Sequence, residues 1–279
     1  MILGEVWQSL VWGAVARRII CGLTICYLVG PLIIVVNLSF SAAQFLTFPP
    51  PAFSFHLYHN LLDDPRWGDS FVTSVTIMIP TALAATLAAT AAAYGSMRLP
   101  PRVATFVSGL ILAPIVVPAI ITAAAVYGLF ERLQLNGTLA GLILAHTVIT
   151  LPYVFITVSA SLKVLDPRLE AAARTLGAPL HTAFRRVVLP LIMPAVLSGV
   201  LFAMVVSFDE LVVSLFISTP EVRPLTVQMW SDILGDVDPT IAAISTLLLG
   251  GALFAICGQH AVRRLLRARN RIDGVAQPL

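Results

Sequence analysis

Six long apolar runs, roughly 19–40, 71–94, 103–130, 139–162, 187–217 and 241–262, alternate along the chain with short stretches that hold nearly all of its charge. About 20 consecutive apolar residues are needed to cross a bilayer as a helix. Each run reaches that length, so the pattern predicts an all-α polytopic bundle of six transmembrane helices. Membrane barrels show alternating segments of about ten residues instead, and no such alternation is present. The first run follows Arg17-Arg18 and at 22 residues is longer than the apolar core of a signal peptide. It is read as an uncleaved anchor. Residues 1–18, with Trp7 and Trp12, are read as an N-terminal interfacial helix, residues 19–262 as the membrane domain and residues 263–279 as a basic tail.

Prolines interrupt several runs: Pro80, then Pro114 and Pro118, then Pro190 and Pro194. Proline frees backbone carbonyls that packing neighbours must satisfy, and two prolines four apart in the third run predict a bend. In the second run Ala85, Ala89 and Ala93 stack at four-residue spacing, which permits close helix approach.

Composition supports the membrane class. Of 279 residues, 58% are hydrophobic and 11% charged, against roughly 25% charged in soluble domains. A soluble enzyme and a disordered chain are both excluded. Cys21, Cys26 and Cys257 all lie in apolar runs without a CxxC spacing, so they predict neither a metal site nor a disulfide framework. His56 and His59 lack a third ligand nearby, and His146 reads as a packed, hydrogen-bonded histidine. With six spans, Arg17, Arg18, Arg98, Arg102, Lys163, Arg168, Arg174, Arg185, Arg186, Arg263, Arg264, Arg267, Arg269 and Arg271 fall on one side. Arg66, Arg132 and Arg223 fall on the other. Fourteen bases against three place both termini in the cytoplasm.

The loop 163–190 between spans four and five carries the clearest motif. Asp166 can cap a helix whose first residue is Pro167. Leu169, Ala172, Ala173 and Leu176 then share one face, Gly177 ends the helix, and a second short helix begins near Leu180 and leads into the next span. Ala172-Ala173, Gly177 and Leu189-Pro190 stand at the spacing of the EAA loop, with Val187 at the isoleucine position. The glutamate position falls on Ala171, and this chain's glutamate is Glu170, one residue earlier, or about 100° around the helix.

The loop resembles that of inner-membrane permeases of bacterial ABC importers. The segment Ser207–Ser214 and the Pro224-Leu225 region resemble the second permease of polyamine importers. The resemblance implies the type I permease fold and a coupling helix docked on a cytoplasmic ATPase, with Glu170, Ala171, Ala172, Ala173, Gly177, Leu189 and Pro190 as ATPase-coupling residues. It also implies an ATP-binding cassette ATPase dimer, a second permease (a paralogue rather than a copy) and a periplasmic substrate-binding protein as partners. The setting is the bacterial inner membrane, with lipid around the bundle and no nucleic acid. Lys163, the sole lysine, follows Ser161-Leu162 rather than a glycine-rich loop, so the chain has no P-loop. No cofactor is expected in it, and ATP and Mg belong to the partner ATPase. The chain is read as a non-catalytic subunit.

Asp209 and Glu210 are the acidic residues inside an apolar run. A carboxylate in hydrocarbon is costly unless it meets a cavity or a partner. The pair therefore reads either as lining an outer vestibule that attracts a cation or as marking the wet end of the span. Asp209 is the first choice for the substrate pathway, with Ser207 as its hydrogen-bonding neighbour, Glu210 beside it and Tyr127 as a further lining residue. Residues 224–234 read as an amphipathic outer helix. Eight acids on the same outer side suit a small amino compound or organic cation. The acid that the resemblance implies after the third-span proline is replaced by Ile115. The alternative is a self-sufficient ion-coupled secondary transporter using Asp209, Glu210 or His146.

Overall fold

The computed structural model describes residues 2–235 and 238–254. Among them every regular element is helical, and one isolated bridge pairs Ser41 with Phe53. The helices are α1 (Ile2–Ser39), α2 (His56–Asp63), α3 (Pro65–Ser96), α4 (Pro101–Val116), α5 (Ala119–Leu133), α6 (Leu139–Val164), α7 (Pro167–Thr175), α8 (Leu180–Ala183), α9 (Leu189–Asp209), α10 (Val212–Ile217), α11 (Leu225–Leu234) and α12 (Thr240–Phe254). A π-helical turn, Phe184–Val188, joins α8 to α9.

Internal contacts divide the chain into residues 66–231 and the two flanks. In the flanks, α1 runs through Arg17-Arg18 without a break, so the segment before the first span is continuous with it. Ile19, Leu23 and Leu32 on α1 are exposed. The Ser39 hydroxyl meets the Tyr58 hydroxyl at 2.8 Å, and Phe40, Phe55 and Tyr58 pack ring on ring. The sixth apolar run appears as α12 up to Phe254. Its remainder, Cys257 and the basic tail lie outside the described residues.

Residues 66–231 contain the helices that matter for function. The bases Arg98, Arg102, Lys163, Arg168, Arg174, Arg185 and Arg186 gather at one end of this unit, here the basic end. The opposite, acidic end carries the residues after Asp209. Nearer the basic end, the core joins Ala82, Ala85, Ala89 and Ala93 of α3 to Val154, Phe155, Val158 and Leu162 of α6 and to Ile192, Val196 and Ala203 of α9. The stacked alanines thus face the core, as their spacing indicates. Gly199 lets α9 approach α6 closely: a Cβ there would lie 2.9 Å from Val154 Cγ1 and 3.4 Å from its Cα. A second core joins Ile77, Ala123, Phe130, Leu142, Ala145, Val213 and Ile217.

Among the described residues, two of the runs are broken into separate helices. The third splits into α4 and α5, bent by 105°. Val117 is extended (φ −75°, ψ 131°) because the ring of Pro118 disfavours the helical region for the residue before it. The proline pair therefore produces a break. The fifth run ends its long helix at Asp209, leaves Glu210 extended (ψ 112°) and resumes as α10. No proline or glycine marks that second break.

Candidate functional site

The loop 163–190 is built from local signals. Asp166 accepts a hydrogen bond from the Arg168 N–H at 2.9 Å, and Pro167 occupies the first turn of α7, where a missing N–H costs nothing. At the other end the Ala178 N–H reaches the Ala173 carbonyl (3.1 Å) and the Gly177 N–H that of Arg174 (3.0 Å). This is a Schellman closure, and it requires the left-handed φ of +88° that Gly177 adopts. Glycine at this position is thus a conformational requirement of the turn between α7 and α8.

The faces of α7 divide cleanly. Leu169, Ala171, Ala172, Leu176 and Gly177 are exposed, Leu176 at 90%. Ala173 and Leu189 are half-buried and Pro190 is exposed. Glu170 turns the other way and forms an ion pair with Arg98, just past the end of α3. Arg98 also donates to the Tyr94 carbonyl at 2.9 Å and lies 3.8 Å above the Tyr94 ring. That ring packs against Phe184 of the π turn at 4.5 Å. The one-residue displacement of the glutamate therefore points its carboxylate into the bundle rather than outward with Ala171 and Ala172. Sequence reasoning missed Arg98, Tyr94 and Phe184, because nothing local links positions so far apart in the chain.

At the acidic end, Asp209 closes α9 and is exposed, whereas Glu210 is half-buried. Residues Leu180–Asp209 form 30 consecutive helical residues, long and apolar enough to cross a membrane. At 1.5 Å each they extend about 45 Å, longer than a hydrocarbon core of about 30 Å. Glu210 accepts from the Val213 N–H at 2.8 Å and so caps α10. Its carbonyl accepts from the Thr226 hydroxyl at 3.1 Å, and the Leu225 N–H donates to the Ser74 hydroxyl at 2.8 Å. The start of α11 is thereby tied to α3 and to the break after α9. The amphipathic stretch 224–234 does form this helix, with Leu225, Val227 and Gln228 buried.

Ser207 is not hydrogen-bonded to Asp209. It meets His146 Nδ1 at 3.0 Å, while His146 Nε2 meets the Ser214 hydroxyl at 3.0 Å. His146 is 1% exposed. It is the packed, hydrogen-bonded histidine that its apolar setting indicates, and it staples α9 to α10 across their break. Tyr127 lies on α5, 44% exposed, and its carbonyl accepts from the Asn136 amide. Beyond Asp209, a cleft of about 640 Å³ is lined by Arg66, Asp69, Glu221, Arg223 and Gln228, with Arg223 donating to the Gln228 amide oxygen at 3.1 Å. The Glu221 carboxyl is held below its usual range by its own backbone N–H, by the Thr219 hydroxyl and by nearby Arg223. Among the described residues no three His, Cys, Asp or Glu side chains converge as a metal site would need.

Comparison with known proteins decides what this arrangement belongs to. Residues 82–267 match the family model of the binding-protein-dependent transport system inner membrane component. The chain belongs to this family. Its relatives include the spermidine/putrescine transport system permease protein PotC of Escherichia coli K12, 31% identical over 238 residues (85% of this chain and 90% of PotC). The putrescine transport system permease protein PotI of the same strain is 31% identical over 269 residues, covering 91% and 95%. Among solved structures, the crystal structure of a bacterial ABC transporter involved in alginate import superposes with a TM-score of 0.72. The match has 15% identity and covers 88% of this chain and 95% of that one; it establishes the shared fold.

The permease is therefore a multi-pass, non-catalytic transmembrane subunit of an ATP-driven importer, and the ATPase is a separate chain. Family membership implies an ATPase, a substrate-binding protein and a paired permease as partners. The self-sufficient ion-coupled transporter is set aside on the same ground.

Proposed function

We propose that this permease imports a polyamine or a closely similar organic polycation, with Asp209 as an anionic station at the outer mouth and the loop 166–190 as the seat of the ATPase. Similarity to two polyamine permeases over most of their length carries the cargo reading. The exposure of Asp209 supports its role, because a carboxylate at the wet end of a span attracts a cation without the cost of full desolvation. The exposed face of Ala171, Ala172 and Gly177 supports docking, since small residues allow another protein to approach the backbone. Glu170 and Ala173 stand behind that face, and Leu189-Pro190 opens the helix that carries the motion inward. Glu210 serves the pathway by holding the break beside Asp209, with Ser207 placing the last turn of α9. Tyr127 is a lining residue of the same half.

In this reading both termini are cytoplasmic, the membrane is a bacterial inner membrane, and a paralogous permease completes the pathway. ATP and Mg are bound by the ATPase dimer. Closure of that dimer moves the loop, and the bundle alternates between facing the periplasmic binding protein and facing the cytoplasm. The experiment is uptake of radiolabelled spermidine and putrescine by cells dependent on this importer. Asp209→Asn is expected to lower spermidine uptake about tenfold or more, corresponding to loss of one charge-assisted contact. Unchanged uptake in that variant overturns the role of Asp209. Failure of the unaltered importer to take up either compound overturns the cargo.

A further inference from the structure

We infer that Arg98 and Glu170 form the joint that carries movement of the coupling loop into α3, with Arg98 as a positioning residue rather than a surface charge. The inference rests on the loop's reading as the ATPase seat.

The loop is covalently continuous with α6 at one end and, through the π turn, with α9 at the other. Helix α3 has no such continuity and must be driven by side chains. Besides the alanine face that packs on α6 and α9, two contacts tie it to the loop itself, and they engage both halves of the loop. Glu170 of α7 pairs with Arg98, and Phe184 of the π turn packs on Tyr94. Arg98 belongs to both, because its guanidinium lies on the Tyr94 ring while one nitrogen holds the Tyr94 carbonyl. The guanidinium plane is thus fixed by stacking before it meets the carboxylate, so the ion pair has little freedom left to lose. The side chains of Arg98 and Glu170 are 35% and 17% exposed. The pair is partly shielded, unlike a freely solvated surface bridge.

What lies beyond the joint gives it a use. From Ser96 back to Ser74, α3 is a continuous helix of about 33 Å. Along the way it packs through Ala93, Ala89, Ala85 and Ala82 in the main core. At Ser74 it accepts the Leu225 N–H at the start of α11. A displacement delivered at Arg98 therefore reaches the helix beside Asp209 through one continuous helix, which passes Pro80 without a break, and one buried hydrogen bond. It also follows that the glutamate of this loop is engaged within its own chain.

The test uses the complete importer in lipid nanodiscs. Readouts are retention of the ATPase on the permease, the KM for ATP, and ATP hydrolysis stimulated by the binding protein as purified. Arg98→Ala and Glu170→Gln are each expected to keep the ATPase bound with unchanged KM, while lowering stimulated kcat about tenfold. The swap Arg98→Glu/Glu170→Arg is expected to restore most of the loss, and Arg98→Lys to retain the charge and part of the stimulation. Wild-type stimulation in both single variants overturns the joint. So does an assembled swap that stays uncoupled beside an unimpaired Arg98→Lys. Release of the ATPase by Glu170→Gln but not by Arg98→Ala overturns it too, since Glu170 would then touch the ATPase directly. Failure of the underlying reading looks different: Gly177→Glu would leave the ATPase bound.

Discussion

Gly199 and His146 show how single side chains set the packing of the bundle. A methyl group on Gly199 meets Val154 at a distance that real Cβ atoms do not tolerate, so α9 must move away from α6 or Val154 must shift. Gly199→Val is expected to destabilise the permease by about 1–3 kcal/mol through overpacking, read as a lower melting temperature of the detergent-solubilised protein. His146 satisfies two buried hydroxyls at once. His146→Leu leaves both without their partner, at a cost of about 1–2 kcal/mol by comparison with other interhelical hydrogen bonds in membranes. The same melting measurement checks it, with Ser207→Ala/Ser214→Ala/His146→Leu expected to recover part of the loss. The residue type of His146 was legible, since a lone histidine in an apolar run must find partners. Its partners were not, because Ser207 and Ser214 lie 61 and 68 positions away.

At the scale of elements, the two broken runs differ in how readable they were. The break at Val117-Pro118 follows from proline chemistry. The break after Asp209 carries no proline or glycine; the acidic pair marks it, as the wet-end reading allowed, and tertiary hydrogen bonds hold it: Glu210 to the Val213 N–H, Thr226 to the Glu210 carbonyl, and His146 to both flanking serines. Hydropathy counts apolar residues and is blind to such bonds, so it joined α9 and α10 into one span. The two adjacent acids thus have separable tasks. Glu210→Gln keeps an oxygen for the Val213 N–H and is expected to transport nearly as wild type. Glu210→Leu loses the cap, worth about 1 kcal/mol, and is expected to lower melting temperature and uptake together. Asp209→Asn should change uptake alone. Parallel uptake and melting measurements on the three variants distinguish these outcomes. The loop 163–190 was the most legible region, because an N-cap, an N-terminal proline and a left-handed glycine are all local signals.

For the whole molecule, the distribution of 31 charges says more than their scarcity. Seven bases mark one end of the 66–231 unit, and the proposed docking face and joint lie among them. The proposed orientation puts that end in the cytoplasm. Single cysteines at Leu176 and Glu221 are then expected to react with an impermeant maleimide from opposite sides of the membrane, Glu221→Cys in intact cells and Leu176→Cys only in inverted vesicles. Cargo is not written at this scale. One fold neighbour belongs to a transporter of an acidic polysaccharide, while the sequence relatives are named for polyamines. A common architecture thus accompanies differently charged cargoes, so specificity is set by local groups rather than by the fold, and Asp209 is the one proposed here.

The π turn at Phe184–Val188 has a consequence for how such a machine can be tuned. A π turn holds one residue more than the α-helical path it replaces, so it acts as a phase shifter between the face of the loop and the face of α9. The side of α9 that buries Ile192, Val196 and Ala203 is fixed by the core. The side that α7 and α8 turn outward, the proposed seat of the ATPase, is set separately, by whether that extra residue is accommodated. Removing one residue from 184–188 would let the turn relax to ordinary α-helix and swing the loop by about 100°. Ile192, Val196 and Ala203 would keep their places while the proposed docking face turned away, and Phe184 and Val188, which touch the same core, would take up the change. A lineage could thus re-aim this connection by a single codon inserted or lost, with repacking confined to the residues of the turn and their neighbours.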